Sequence, residues 1–386
     1  MIAFDVAAAS LAAWGYLLAA RGGFWRCAER DEADAAGADE PSAWPAVGVI
    51  VPARNEADVI GETLGALLQQ DYRGAVTIVV VDDDSTDETA CVSREVARRA
   101  GAADRVSVLD APQVPPGWTG KLWAMHCGIT HAVSRGPDYL LLTDADIRHA
   151  RDSLRGLVAH ARTGSLVLAS RLAKLRCESF AERALVPAFV FFFRMLYPFA
   201  WVNAAHRRTA AAAGGCMLVS RNALDAAGGL HSIRGELIDD CALARLLKRR
   251  GPLSLTLSTR VESLRAYRSF GALRRMISRC AFSELRCSWL RLVLAMTAML
   301  VVFVSPAAIV VAADAPAAAI AGLAWLAMAI AFQPTLRLYA RSPLWGLALP
   351  AIALVYAAFT VDSAFAHARG RGGGWKGRVY ARGAPP

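Results

Sequence analysis

The chain has 386 residues, 55% hydrophobic and 20% charged, with a mean hydropathy of +0.34 and a net charge of +10. This composition, with no internal repeat, excludes disordered, collagen-like and coiled-coil classes; the length holds one large soluble domain plus several membrane segments. The positive charge is regional: between residues 241 and 291, twelve Lys and Arg stand against only Glu262 and Glu284.

Met1–Ala20 is apolar apart from Asp5, lacks a basic leading segment and is followed by Arg21 and Arg26. That pattern predicts an uncleaved anchor over residues 1–20 with its N-terminus outside, rather than a signal peptide. Residues 27–43 are small, polar and acidic, as in a linker. From about Trp44, strand-like runs (Val47–Val51, Thr77–Val81, Val106–Leu109, Tyr139–Leu142, Leu166–Ser170) alternate with helical patterns at Glu56–Gln70, about Thr86–Ala100, Lys121–Ser134 and Arg151–Thr163. The alternation predicts an α/β domain over 44–268, with a mixed, mostly parallel sheet covered by helices on both faces. Ligands of such sheets bind at the carboxyl ends of the strands.

Phe180–Trp201 is apolar and aromatic but carries Glu182, Arg183, Arg194 and two prolines. It suits an interfacial segment better than a clean span, with a buried domain helix as the alternative. Residues 269–290 read as a basic amphipathic helix that can lie on anionic headgroups, or as a solvated basic face. Leu292–Ala313, Pro316–Phe332 and Leu344–Ala366 supply three further spans within 291–368. An outside N-terminus followed by four spans puts the basic tail, 369–386, outside, against the positive-inside rule. Either one C-terminal segment does not fully cross or the tail is an exception. The eight cysteines form no CxxC pair and read as reduced packing thiols on the cytosolic side of a membrane.

Five polar clusters fall at strand or helix ends. Pro52-Ala53-Arg54-Asn55-Glu56 follows the first strand, and Asp82-Asp83-Asp84-Ser85-Thr86-Asp87 follows the second. Carboxylates there can accept hydrogen bonds from a base or ribose hydroxyl; an acidic turn with an N-cap explains them equally well. Thr143-Asp144-Ala145-Asp146 puts two carboxylates one residue apart. They repel unless a positive charge sits between them, and a divalent cation on a diphosphate supplies one. Gly120-Lys121 opens a helix where an ammonium and the helix N-terminus can both face phosphate, though a surface lysine after a turn reads the same. Asp239 and Asp240 begin another helix. An aspartate there can act as general base toward a hydroxyl, or simply complement the helix dipole.

In order and spacing these clusters resemble the family 2 glycosyltransferases: VPARNE at 51–56, VVVDDDSTDET at 79–89, GK at 120–121, DAD at 144–146, GGCMLVSR at 214–221 and DD at 239–240. The likeness spans about 44–290. It implies a GT-A nucleotide-diphospho-sugar transferase domain plus N- and C-terminal transmembrane helices. Within the family, PPGWTGKLWA at 115–124 and RRMISRCAFSEL at 274–285 are similar to the hopene-associated glycosyltransferases. GWKGRVY at 374–380 resembles the carotenoid-type ones.

The resemblance implies that Asp83, with Asp82, contacts the nucleoside, and that Pro52, Arg54, Glu56, Lys121 and Asp144 complete the donor side. It further implies that Asp144 and Asp146 hold Mg²⁺ or Mn²⁺, and that Asp240, with Asp239 beside it, is the base. Arg275 and Arg279 fall on the acceptor or headgroup side. The chain departs from the family at Asp84, where glycine is frequent, and no Trp follows Arg279, which disfavours processive polymerisation. The implied partners are a nucleotide-diphospho-sugar, a hopanoid or related lipid acceptor and the bilayer, and the implied place is the inner membrane with the catalytic domain cytoplasmic. The alternatives are a polyprenyl-phosphate sugar synthase, a polysaccharide synthase, a carotenoid-type enzyme, or a non-catalytic nucleotide-sugar-binding scaffold. Nucleic acid is not an expected partner, because the basic run abuts a membrane span and lacks an aromatic-rich binding module.

Overall fold

The computed structural model describes residues 1–32, 43–373 and 376. Most of the acidic linker, the tail beyond 373 apart from Lys376, and with it the GWKGRVY motif lie outside the described residues. The chain divides into a sheet unit, residues 29–176 and 201–265, and a helical unit made of 1–28, 177–200 and the described part of 266–382.

The sheet unit contains strands β1 (Val47–Ala53), β2 (Val76–Asp82), β3 (Val106–Asp110), β4 (Tyr139–Thr143), β5 (Ile147–His149), β6 (Leu168–Lys174), β7 (Cys216–Ser220) and β8 (Leu253–Ser263). They form one eight-stranded sheet in the order β3-β2-β1-β4-β7-β6-β8-β5. Four neighbouring pairs run parallel (β1–β2, β1–β4, β2–β3, β6–β8), and β7 and β5 pair antiparallel. The mixed sheet agrees with the sequence reading, and all five expected strands are present.

Helices α2 (Ala57–Leu68), α3 (Thr89–Arg99) and α5 (Ser153–Thr163) supply side chains to one core, and α4 (Gly120–Val133), α8 (Arg221–Ala226) and α9 (Asp239–Leu247) to another. Alternation along β1 assigns Val49 and Val51 to the first core and Ile50 to the second. A strand buried on both faces must be apolar throughout, which is why VGVIVPA reads as a continuous run. β5, β7 and β8 were not among the expected strands. β5 has only three residues; β8 alternates Leu with Ser and Thr over 253–258, a period-two strand pattern that the sequence reading passed over.

α4 lies very close to the sheet. A Cβ at Gly128 would stand 2.6 Å from Ile50 Cγ2 and 2.9 Å from Val81 Cγ2. Both neighbours are β-branched strand residues with little freedom to move.

The helical unit holds α1 (Ile2–Ala20), α6 (Phe180–Leu196), α10 (Phe270–Glu284), α11 (Trp289–Met299), α12 (Ser305–Ala312), α13 (Ala315–Leu338) and α14 (Leu349–Ala368). The short helix α7 (Phe199–Asn203) lies where the chain passes from one unit to the other in sequence. Among the described residues, four helices are long and apolar enough to cross a membrane: α1, the continuous Trp289–Ala312 run, α13 and α14. All four expected spans are thus present as helices. α1 packs against α13, where Ala317, Ala321 and Ala324 are fully buried and permit close approach.

A π-helical turn, Leu300–Val304, joins α11 to α12. Pro306 has no N–H to offer the carbonyl of Val302, four residues earlier. Trp14 Nε1 donates to that oxygen at 2.9 Å and Ser10 Oγ at 3.2 Å, so α1 closes the gap left by the proline.

Phe180–Trp201 forms α6 and the start of α7. Eleven of the seventeen α6 residues are buried; of its charges, Glu182 and Arg194 are satisfied internally, while Arg183 is exposed. Glu182 accepts from the amides of Glu178, Ser179 and Tyr267, forming a capping box. Arg194 is fully buried, donates to Cys27 Sγ at 2.9 Å and lies over the Phe199 ring. α6 is thus largely buried, as the alternative expected, but it belongs to the helical unit and not to the sheet unit. α10 is helical as expected, with Leu273 and Ile277 buried and Arg275 and Arg279 exposed. Its inner face is pinned to α14 by Ser278 donating to Asp362 and to the Phe359 carbonyl, by Arg274 pairing with Asp362, and by Ser363 accepting from the Phe282 amide. All eight cysteines are free thiols; Cys27, Cys216 and Cys241 are buried and Cys91 is exposed.

Gly128→Ala should overpack α4 against β1 and β2 and cost about 1–3 kcal/mol. A clear fall in the thermal midpoint of the purified full-length protein is the expected result, and an unchanged midpoint would contradict this packing.

Candidate active site

The strand order turns at β1, which has β2 on one side and β4 on the other. The carboxyl ends of β1, β2 and β4 therefore converge on one rim, and the first three polar clusters lie there.

The first two clusters are interlocked. Arg54 Nη1 donates to the carbonyls of Asp83 and Asp84 and pairs with Asp84 at 3.4 Å and Asp83 at 4.0 Å. Asn55 Oδ1 accepts from the Thr86 amide at 2.8 Å, and Asn55 N donates to Ser85 Oγ. Glu56 N donates to Thr89 Oγ1, and Ala57 N to Asp87 Oδ2. Asp87 thereby spans the starts of α2 and α3; against its burial, the Thr89 hydroxyl and the Ala57 amide hold its carboxyl below the usual range. Asp82 accepts from the Ser85 amide at 3.0 Å. Asp83 is 1% exposed and Asp82 8%, so both face the interior of the rim. Pro52 is a buried β1 residue, two positions beyond the last β1–β4 pair, where a proline is tolerated in a strand.

The turn these contacts enclose has Asn55 at φ 52° and Asp84 at φ 57°. Asn and Asp are the non-glycine residues that best tolerate the left-handed region. The Asp84 departure thus keeps the backbone conformation that a glycine would supply.

The other clusters meet around one ammonium. Lys121 is on the first turn of α4, which Thr119 caps by accepting from the Leu122 amide. Its Nζ lies 2.8 Å from Asp144 Oδ1 and 3.2 Å from Asp239 Oδ2. Asp239 and Asp240 begin α9, where the helix dipole favours negative charge. Asp240 Oδ2 accepts from the Gly214 amide at 2.9 Å, and Oδ1 from the Cys241 amide at 2.7 Å. A Cβ at Gly214 would come within 3.2 Å of Lys121 Nζ and 3.4 Å of Asp240 Oδ2, so glycine lets the GGCMLVSR motif approach both. Thr119 N donates to the Arg234 carbonyl, tying the α4 entrance to the loop before Asp239.

The electrostatics follow from this crowding. Burial works against the Lys121 charge, but Asp144 and Asp239 outweigh it and hold the ammonium well above its ordinary range. Burial and the Asp239 charge push Asp240 up to about 6, while Lys121 pulls the other way. A carboxylate titrating there is suited to taking a proton near neutrality.

Asp146, at the end of the DAD turn, is bound by a residue the motifs did not point to. Arg265, two positions beyond β8, donates from Nε to Asp146 Oδ2 at 2.7 Å and from Nη2 to Glu56 Oε1 at 2.5 Å. Sequence reading missed Arg265 because no motif surrounds it and it is one of twelve Lys and Arg between residues 241 and 291. Arg275 and Arg279 belong to the helical unit.

Among the described residues, no group of three or more His, Cys, Asp or Glu side chains is arranged to hold a metal ion. The fit to a divalent cation is tested by the DAD pair itself. Asp144 and Asp146 are hard oxygen donors at one strand end, and the Asp144 side chain is 36% exposed. Mg²⁺ and Mn²⁺ bind through few protein carboxylates when phosphate oxygens complete the shell, so this pair fits.

Lys121→Ala should leave Asp144, Asp239 and Asp240 without their shared counter-charge and destabilise the fold by about 3 kcal/mol. The carboxylates would then take up protons more readily when folded, so the deficit should grow as pH rises from 5 to 8. A deficit independent of pH in thermal melts would contradict this network.

Residues 48–228 match the sequence profile of the family Glycosyl transferase family 2. The 4,4'-diaponeurosporenoate glycosyltransferase of Staphylococcus aureus (strain MRSA252) is 37% identical over 114 residues, covering 29% of this chain and 27% of that protein. The enzyme of the same name from Staphylococcus haemolyticus (strain JCSC1435) is 35% identical over 126 residues, 29% of this chain and 31% of its own length. The alignments thus span under a third of these relatives. A mannosyltransferase from Pyrobaculum calidifontis, solved with GDP-Man and Mn²⁺, superposes with a TM-score of 0.58 at 21% identity, covering 93% of this chain and 99% of that one. The superposition shows the GT-A fold; the profile match, which runs from β1 to α8, likens the sheet unit to glycosyltransferase family 2.

Proposed function

We propose that the protein is a membrane-bound, inverting glycosyltransferase that moves a sugar from a nucleotide-diphospho-sugar to the hydroxyl or carboxyl group of a polyisoprenoid-type lipid. The observation that carries this reading is the position of Lys121. One ammonium touches Asp144 of the donor-side motif and Asp239 of the base-side motif, so the groups that would handle leaving group and acceptor belong to one network.

Asp82 and Asp83 offer buried carboxylates to the nucleoside, on a turn that Arg54 holds in shape. Asp144 and Asp146 would hold Mg²⁺ or Mn²⁺, which when bound supplies positive charge for the departing diphosphate. Lys121 adds a fixed cation and the α4 N-terminus its amides on the same side. Asp240 would accept the proton of a hydroxyl acceptor as that oxygen attacks the anomeric carbon from the face opposite the diphosphate; a carboxylate acceptor carries no proton and would attack without that transfer. The amides of Gly214 and Cys241 hold its carboxylate in place for that role.

The four membrane-length helices and the exposed basic residues of α10, Arg275 and Arg279, support a lipid acceptor and a bilayer partner. The relatives' name supports a carotenoid-type acid as one acceptor. The likeness of 115–124 and 274–285 to hopene-associated enzymes supports a hopanoid as the other. Arg21 and Arg26 after α1 support an inner-membrane protein with the sheet unit on the cytoplasmic side.

Mass spectrometry of total lipid extracts, with and without the gene, tests the acceptor: loss of a glycosylated hopanoid or carotenoid is expected, and loss of a glycosylated phospholipid alone would refute it. Asp240→Asn should lower turnover by at least about 100-fold while nucleotide affinity stays within about twofold. In the wild type, turnover should fall as pH drops through about 6, because the base is then protonated. Wild-type turnover level from pH 7 to 5 would remove Asp240 from the role.

A further inference from the structure

Arg265 grips the DAD turn from two directions. Its guanidinium bonds Asp146 and Glu56, and the amide of the preceding Leu264 donates to the Asp146 carbonyl at 2.8 Å. The two carboxylates it bonds are nearly dry, with side-chain exposures of 11% for Asp146 and 10% for Glu56. Lys121 does the equivalent for Asp144. Each acidic residue of the motif therefore already has a protein cation within 3 Å.

This arrangement opposes a bare divalent ion. Glu56, Asp239 and Asp240 leave the cluster net negative, but Asp144 and Asp146 are each already engaged by a fixed cation, so such an ion would have to displace an ion pair to bind, and among the described residues no cluster of three or more ligating side chains offers another seat. A diphosphate reverses the balance, because it brings negative charge and oxygen ligands together. Arg265 is well placed for such control, since it also binds Glu56 at the start of α2 and so joins the motif after β1 to the motif after β4.

We infer that Arg265 is a positioning residue that holds Asp146 as an ion pair and keeps the free site closed to divalent cations, so that the metal enters only with the donor's diphosphate. The inference rests on the nucleotide-sugar reading above. In it, Arg265 acts through Asp146 and touches neither substrate nor reacting atoms.

The test is Mn²⁺ binding to the full-length protein in lipid nanodiscs, read from the spectrum of free Mn²⁺ by electron paramagnetic resonance, with no nucleotide, with UDP and with GDP. Nucleotide binding is measured in parallel. The wild type should bind Mn²⁺ at least about tenfold more tightly with UDP or GDP than alone. Arg265→Gln should raise the nucleotide-free Mn²⁺ affinity about tenfold, a gain that a misfolded variant cannot produce. Arg265→Lys, which keeps the charge, should stay close to the wild type.

Wild-type protein that binds Mn²⁺ equally with and without nucleotide would overturn the inference and leave the nucleotide-sugar reading standing. So would Arg265→Gln with unchanged or weakened nucleotide-free affinity. Wild-type protein that binds neither nucleotide, with Mn²⁺ or without, would overturn the underlying reading and the inference with it.

Discussion

The site depends on keeping many carboxylates close together without an uncompensated charge. Asp144, Asp146, Asp239, Asp240 and Glu56 gather around two cations, Lys121 and Arg265. Each cation spans two elements distant in sequence. Lys121, on α4, meets the end of β4 and the start of α9; Arg265, after β8, meets the end of β4 and the start of α2. These bridges make the crowding of like charges tolerable. Where the compensation is least complete, at Asp240, the carboxyl rises toward neutrality.

The scaffold delivers these groups through packing at short range. Gly128 lets α4 lie against Ile50 and Val81, and Gly214 lets the β7 approach pass beside Lys121 and Asp240. A side chain at either place would push Lys121 away from one of its partners or strain the sheet. The first two motifs hold each other by a ladder of side-chain bonds from Arg54 to Asp87, so the turn that presents Asp82 and Asp83 has little freedom. Part of the acidic run after β2 is therefore scaffold: Asp87 caps helices, while Asp82 and Asp83 face the rim.

The helical unit solves a different problem, the pairing of polar groups away from water. Pro306 removes one backbone donor, and Trp14 and Ser10 replace it from α1. Glu182 and Arg194, which made Phe180–Trp201 look interfacial, are folded into internal bonds. Asp362 on α14 is met by Ser278 and Arg274 of α10. The Val302 carbonyl and Asp362 find their partners on another helix, whereas Glu182 finds its own among backbone amides and Arg194 at Cys27.

Much of the fold and the site was legible along the chain, for a local reason. Strands buried on both faces must be continuously apolar, spans must be long and apolar, and polar motifs at strand ends stand out against both. The five main strands, the four spans and the motif residues from Arg54 to Asp240 were read on that basis. What the sequence could not supply was pairing. β5, β7 and β8 join the sheet through partners far along the chain; β5 is too short to announce itself, while the apolar run of β7 and the alternation of β8 were passed over. The order in which Lys121 and Arg265 share the carboxylates was likewise invisible, because ion pairing depends on distances of about 3 Å set by the packing of α4, α9 and the end of β8. By itself the sequence determined which residues carry charge and which segments avoid water. Only the tertiary structure decided which charges face one another, since Coulomb energy falls with separation in space and is blind to separation along the chain.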